Sequence, residues 1–211
     1  MGAEPRRNTT SRARVVHRHD CDVKFDAIVL AGGEARRLGG TDKPMLEVDG
    51  TPMLARVLDA VSGAQKRVVV GPPRLLGDAV TWCQETPPGG GPVAAITAAL
   101  PLTAAPVVVV LAADLPWIAP AVAPLLAALQ PSVDVAMLRA GGHSNYLAAA
   151  WHRRALIAAL DRVADPRGAS MRTLVAAANV AEVADPGWGD DCDTWADLAR
   201  ARDHATDRRR G

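Results

Sequence analysis

Aromatic side chains are scarce in this sequence, which has five Trp, one Tyr and one Phe among 211 residues. So few rings exclude an obvious stacking platform for single-stranded nucleic acid. Long apolar runs are missing too, and none approaches the roughly 18–20 residues that a membrane-spanning helix needs. Nor is one sign of charge in excess: 24 Lys and Arg against 23 Asp and Glu leave a formal +1. No global field therefore marks a nucleic-acid or membrane binder, and any charge that matters must be local. Cysteine is represented by Cys21, Cys83 and Cys192 alone. They form no CxxC pair, and an odd number at wide separation suits reduced thiols in the cytoplasm rather than a disulfide framework. His143 and His152 have neither the spacing nor the carboxylate company of a zinc site. The sequence also lacks a G-x-S-x-G elbow, and no cysteine sits near a plausible base.

What remains is a chain rich in small apolar residues. With 49% hydrophobic content and a mass of 22.1 kDa, it can bury one sizeable core. Residues 1–24 are polar and carry Arg6, Arg7, Arg12, Arg14 and Arg18 without an apolar stretch long enough for a secretory signal, so they read as a flexible basic tail. Residues 204–211 read the same way, leaving 25–203 as the folded domain. Between the tails, β-branched runs alternate with Ala- and Leu-rich stretches. Strands are expected at 26–30, 67–71, 79–83, 107–112, 133–138, 147–151 and 180–183. Several are apolar on both faces, as strands covered by helices on both sides must be. Helical stripes occur at Leu54, Val57, Leu58 and Val61, at Leu156, Leu160 and Val163, and at Met171, Leu174 and Val175. Asp193 or Thr194 is a candidate cap for a last helix through about Arg202. The pattern predicts an α/β fold, a single Rossmann-like three-layer domain with a mostly parallel central sheet. In such sheets ligands gather beyond the carboxyl ends of the strands, and three motifs fall there.

The first is "LAGGEARRLGGTDK", residues 30–43, directly after the first strand. Gly32 and Gly33 allow a tight turn with bare N–H groups against a ligand, while Arg36, Arg37 and Lys43 bring charge suited to phosphate. The spacing satisfies neither GxxxxGK[ST] nor GxGxxG. The second is "VVVVLAADLP", residues 107–116, in which a buried strand ends on Asp114. A carboxylate there must pair with a cation, bind a metal or cap the turn before Pro116. Beside a triphosphate loop its natural partner is Mg²⁺, which prefers one or two carboxylates plus phosphate oxygens. The third, "DDCDTWADL", residues 190–198, sets Asp190, Asp191 and Asp193 before the final helix, where capping and metal binding both suit such a cluster.

Taken together these segments resemble the molybdenum cofactor guanylyltransferases, the MobA-like nucleotidyltransferases, over roughly residues 26–200. "LAGGEARRLGGTDKPMLEVDGTPML" is similar to that family's signature, "GGGPVAAITAAL" resembles its GPLAG segment, "ADLP" its metal-binding aspartate before a proline, and "DTWADL" its closing element. The resemblance implies transfer of GMP from GTP to the terminal phosphate of molybdopterin, releasing pyrophosphate and forming the guanine dinucleotide cofactor. It implies Mg²⁺ as cofactor, and recipient molybdoenzymes or their chaperones as further partners. It places Leu30, Ala31, Gly32 and Gly33 on the nucleotide through their main chain, together with Gly71, Gly91 and Pro92. Lys43 goes to the α-phosphate region, Arg37 to the departing pyrophosphate, and Asp114 to Mg²⁺, with Asp193 as a second metal ligand. Arg37, Lys43 and Asp114 are then the catalytic residues, and Asn145 and Tyr146 lie where molybdopterin is expected. The nucleophile belongs to the acceptor, so positioning and charge neutralisation are the protein's whole task.

The choice of base follows from the same resemblance. LAGG with a GPLAG-like loop goes with guanine, and Glu85 stands where the family has an acidic residue able to accept from the N1–H and N2–H of that base. Asp191 and Asp193, however, occupy places where the guanylyl family tends to have asparagines and the cytidylyl relatives aspartates. Gly71 stands where asparagine is frequent, and Trp195 replaces a proline. The alternatives are thus a cytidylyltransferase, or another small nucleotidyltransferase acting on a phosphate monoester. A rival of another class is a non-catalytic carrier of the cofactor.

Overall fold

The computed structural model describes residues 23–32, 41–76 and 79–208, by backbone alone beyond Asp203 in the last helix. The amino-terminal tail to residue 22 with its Cys21, and Gly33, Arg36 and Arg37, lie outside the described residues. In chain order the elements are β1 (Phe25–Leu30), a hairpin of β2 (Glu47–Val48) and β3 (Thr51–Pro52), α1 (Met53–Ala60), β4 (Arg67–Val70), β5 (Thr81–Cys83), α2 (Pro92–Ala99), β6 (Val107–Ala112), α3 (Val122–Ala128), β7 (Val135–Ala140), β8 (His143–His152), α4 (Arg153–Leu160), α5 (Met171–Val175), β9 (Val180–Ala184) and α6 (Trp195–Arg208).

Every expected strand is present, and together they make a seven-stranded sheet in the order β5-β4-β1-β6-β8-β7-β9. The pairs β1–β4, β1–β6, β4–β5 and β7–β9 are parallel. β8 runs against both of its neighbours. The cause is local: Gly141 and Gly142, at φ 54° and 85°, form the two-residue turn whose twist matches a hairpin, so the chain reverses at once instead of crossing over.

Alternation within each strand builds two cores. Ala27, Val29, Val69, Val109 and Leu111 face α1 and α3, whereas Ile28, Val68, Val70, Val108 and Val110 face α2, α4 and α5. A slip of one residue would exchange these faces, so burial on both sides fixes the register. The three helical stripes lie in α1, α4 and α5, with Val61 and Val163 just past the ends of α1 and α4. No stripe announced α2 or α3. Their sequences, PVAAITAA and VAPLLAA, are apolar apart from the exposed Thr97 and leave too little polar face to set the period. The last helix continues to Arg208, past the domain boundary placed at 203; the intervening residues contain no Gly or Pro to stop it.

At the amino edge of the sheet Asp26 is 1% exposed. Its carboxylate accepts from the main-chain N–H groups of Lys66 (2.9 Å), Ala104 (2.6 Å) and Ala105 (2.8 Å). That buried charge is satisfied and ties loops together. Among the described residues no helix is long and apolar enough to cross a membrane.

Candidate active site

Leu30 and Ala112 are register partners at the ends of β1 and β6, so the segments that follow them leave the sheet side by side. The Ala113 N–H donates to the Leu30 carbonyl at 2.9 Å, carrying the pairing one residue further and delivering Asp114 beside the segment that leaves β1. β4 and β5 lie on one side of β1 and β6 on the other. The site is thus at the place where strand order reverses, where the carboxyl ends open a crevice.

Lys43 enters this crevice from a short 3₁₀ turn, Lys43–Met45, anchored by the buried Pro44. Its Nζ donates to Asp114 Oδ2 and, at 2.5 Å, to Asp193 Oδ1. The three motifs therefore meet at one ammonium. Their side chains are 15%, 21% and 46% exposed for Lys43, Asp114 and Asp193, so the group is neither sealed nor fully hydrated. Burial alone would push the lysine pKa down, but Asp114 and Asp193 together outweigh it and hold the ammonium above the ordinary lysine value. Asp191, at the rim, has its carboxyl held above the usual carboxylate range, first by partial burial and then by the charges of Asp193 and Asp114. Cys192 between them is 2% exposed, and burial, reinforced by Asp114, pushes its thiol up to about 11.

Asp193 reaches Lys43 because α6 docks on the small hairpin. Cys192, Leu198 and Ala201 pack with Val48 and Met53, and Arg202 Nε donates to the Glu47 carbonyl at 3.0 Å. The helix is capped by Thr194, whose Oγ1 accepts from the Asp197 N–H at 3.2 Å, while Asp197 Oδ2 accepts from the Thr194 N–H at 2.7 Å. This reciprocal box leaves Asp193 outside the cap and turned to the lysine. Arg56 of α1 braces the segment after Asp114: its Nε donates to the Pro116 carbonyl at 3.0 Å, and its guanidinium lies 4.5 Å from the centre of the Trp117 ring. Nothing in the sequence pointed to Arg56, because the segment it braces after Asp114 lies 60 residues away.

The remaining expected residues fall around this centre with varied roles. Leu30, Ala31 and Gly32 are where the motif placed them, but the Ala31 N–H is committed to the Val70 carbonyl at 2.8 Å. Gly32, exposed beyond the sheet, has the first main chain clear of that ladder pairing. Gly71 has φ 144°, and a Cβ there would lie 2.9 Å from the Ala31 carbonyl carbon and oxygen. The asparagine that the resemblance would place at 71 has no room on this backbone. Gly91, at φ 88° and ψ 178°, precedes α2 with Pro92 at its first turn, so the helix starts at the carboxyl edge of the sheet. Glu85 accepts the Gly89 N–H on Oε1 at 2.9 Å, which closes the loop leading to that helix.

Asn145 and Tyr146 also lie at the carboxyl edge, since β8 is antiparallel and pairs Ala148 with Leu111. The Asn145 amide donates to the Gly189 carbonyl at 2.9 Å and its oxygen accepts from Leu147 N–H at 3.0 Å. It holds the 185–190 loop in place. Tyr146 is half-buried against the second core.

Residues 27–183 match the model of the family described as the MobA-like NTP transferase domain. The chain is similar to a probable molybdenum cofactor guanylyltransferase of Synechococcus elongatus, with 37% identity over 113 residues that cover 50% of this chain and 57% of the relative. It is also similar to a molybdenum cofactor guanylyltransferase of Rhodopseudomonas palustris, with 33% identity over 156 residues covering 63% of this chain and 72% of that one. The match to the first of these spans little more than half of that relative's length. The fold is that of molybdopterin-guanine dinucleotide biosynthesis protein A from Archaeoglobus fulgidus, at a TM-score of 0.67 and 22% identity over 86% of this chain and 99% of that one. The family match takes in the glycine turn, Lys43 and Asp114 and most of the sheet, and the chain belongs to the MobA-like NTP transferase domain family.

Proposed function

We propose that the chain is a molybdenum cofactor guanylyltransferase, transferring GMP from GTP to the terminal phosphate of molybdopterin in the cytoplasm. The observation that carries this reading is the meeting of Lys43 with Asp114 and Asp193 at the carboxyl ends of the strands, where Ala31 and Gly32 leave β1. In the reaction an oxygen of the acceptor phosphate attacks the α-phosphorus of GTP. A phosphoanhydride forms, and the bond from that phosphorus to the α–β bridging oxygen breaks as pyrophosphate departs. Lys43, kept charged by its carboxylate neighbours, neutralises the α-phosphoryl oxygens where negative charge must be tolerated. The main chain from Gly32 onward and the start of α2 receive the nucleotide, and Glu85 presents its second oxygen to the base edge. For Arg37 the role at pyrophosphate rests on the sequence resemblance alone.

The donor set suits Mg²⁺, because two carboxylates, Asp114 and Asp193, already converge on one cation. Asp114 and Asp193 would hold the ion, since Mg²⁺ favours one or two carboxylates beside phosphate. When bound it supplies charge neutralisation for the triphosphate. Three widely separated cysteines, Cys21, Cys83 and Cys192, without a CxxC pair suit a reducing compartment. Recipient molybdoenzymes or their chaperones would take up the product.

The test is Mg²⁺-dependent pyrophosphate release with molybdopterin, comparing GTP, CTP and ATP. Release with GTP alone is expected. A preference for CTP would favour the cytidylyl reading, for which Asp191 and Asp193 speak. Tight GTP binding without release would favour a carrier.

A further inference from the structure

We propose that Arg74 is a positioning residue for this reaction, holding the Ala31–Gly32 main chain in register with Lys43. The proposal rests on the reading of Lys43 and the Ala31–Gly32 segment as the nucleotide site. Arg74 follows β4 in the sequence GPPR and belongs to none of the three motifs. Its side chain is 10% exposed, which for a guanidinium requires partners.

The partners lie in two distant segments. Nε donates to Asp42 Oδ2 at 2.8 Å and Nη2 to Asp42 Oδ1 at 2.7 Å, the parallel two-bond fork that guanidinium and carboxylate make together. Nη2 also donates to the Ala31 carbonyl at 3.1 Å, and Nη1 to the Pro72 carbonyl at 3.2 Å. One planar group thus joins the last peptide before Gly32 to the residue immediately before Lys43. The neighbouring Gly71 brings this strand end within 2.9–3.0 Å, measured from where a Cβ would stand, of the Ala31–Gly32 peptide. Pro72 and Pro73 restrict the main chain between that contact and Arg74. The arginine is therefore held by its own backbone before it grips the other two segments.

Charge alone does not account for the arrangement. A lysine has one nitrogen and cannot span a carboxylate and two carbonyls in a plane. Moreover, Arg74 is not offered to phosphate here, because Asp42 occupies its fork. Its effect on the reaction passes through the two segments it joins.

The test combines Arg74→Ala, Arg74→Lys, Asp42→Asn and the Arg74→Ala/Asp42→Asn pair, read by steady-state pyrophosphate release and by amide hydrogen exchange without nucleotide. Each single variant is expected to lower kcat/KM about tenfold to a hundredfold, the scale of a misplaced catalytic group. Lysine should not rescue. The double variant should lose no more than the worse single one, and exchange should rise in peptides containing residues 30–32 and 43–46 while the rest of the sheet stays protected. Full activity in Arg74→Lys, or in Asp42→Asn, would overturn the proposal. So would additive losses, which would mean that Arg74 acts directly on the nucleotide. If wild-type protein released no pyrophosphate with any nucleoside triphosphate, the functional reading would fail by itself. The exchange comparison would still decide whether Arg74 joins the two segments, and unchanged exchange in both segments would refute the tether.

Discussion

Replacing Lys43 by methionine keeps most of the side chain's bulk and removes only the charge that Asp114 and Asp193 share. The magnitude follows from exposure. Breaking a fully buried ion pair costs about 3–5 kcal/mol and losing an exposed one about 0–1. With Lys43 at 15%, Asp114 at 21% and Asp193 at 46% exposed, the site lies between these limits and nearer the second on the Asp193 side. A loss of about 1–2 kcal/mol is expected, lowering Tm by about 3–6 °C in a domain of this size. The same substitution should lower kcat by about 10²–10³-fold, the usual effect of removing one preorganised charge from a reacting centre. Because the ammonium and a divalent ion would draw on the same two carboxylates, Mg²⁺ without nucleotide should raise the Tm of Lys43→Met more than that of wild type. Thermal melts of both proteins over a millimolar Mg²⁺ series are the assay. If Lys43→Met melted with wild type and gained nothing from Mg²⁺, the carboxylates would not depend on Lys43 and the argument would be refuted.

Three further outcomes are expected. Gly71→Ala should destabilise the fold by about 2–3 kcal/mol in a denaturant titration, since its Cβ would stand 2.9 Å from the Ala31 carbonyl at φ 144°; a variant as stable as wild type would mean that the backbone readily gives way. Thr194→Ala should cost about 1 kcal/mol of stability through loss of the helix cap. The Thr194 hydroxyl is also the main cause holding the Asp197 carboxyl below its ordinary range. That stabilisation is present above the unfolded carboxylate pKa of about 4 and disappears as pH falls through the lower folded value, so the gap between the urea midpoints of wild type and Thr194→Ala should narrow in acid to what the Thr194 Oγ1 bond to the Asp197 N–H contributes. Cys192, buried and with its thiol raised to about 11, should resist a thiol reagent at pH 8 in the native state and react fully in denaturant; rapid native labelling would contradict its placement under α6.

What could be seen from the sequence depended on the range of the interaction. The valine runs announced their strands because the period is local, and the motifs announced Lys43 and Asp114 because their chemistry is unusual at a strand end. Even the reversal at β8 is written in Gly141–Gly142, and the β2–β3 hairpin in Asp49–Gly50, both at positive φ, although such pairs also suit ordinary loops. The choice between Asp193 and Thr194 as the cap was of another kind. Both residue types cap helices, and the neighbours alone do not favour one. What turns Asp193 to the lysine is the packing of Leu198 and Ala201 on Val48 and Met53, a contact between segments that are remote in the chain. Arg74 is the extreme case. An arginine after two prolines reads as a solvated loop residue, and only the approach of Gly71 to Ala31 and of Asp42 to the guanidinium gives it a task. Residues that touch substrate have chemistry that limits the choice of side chain. Those that hold them in register act through carbonyls, which every residue has, and so leave a fainter trace in the sequence.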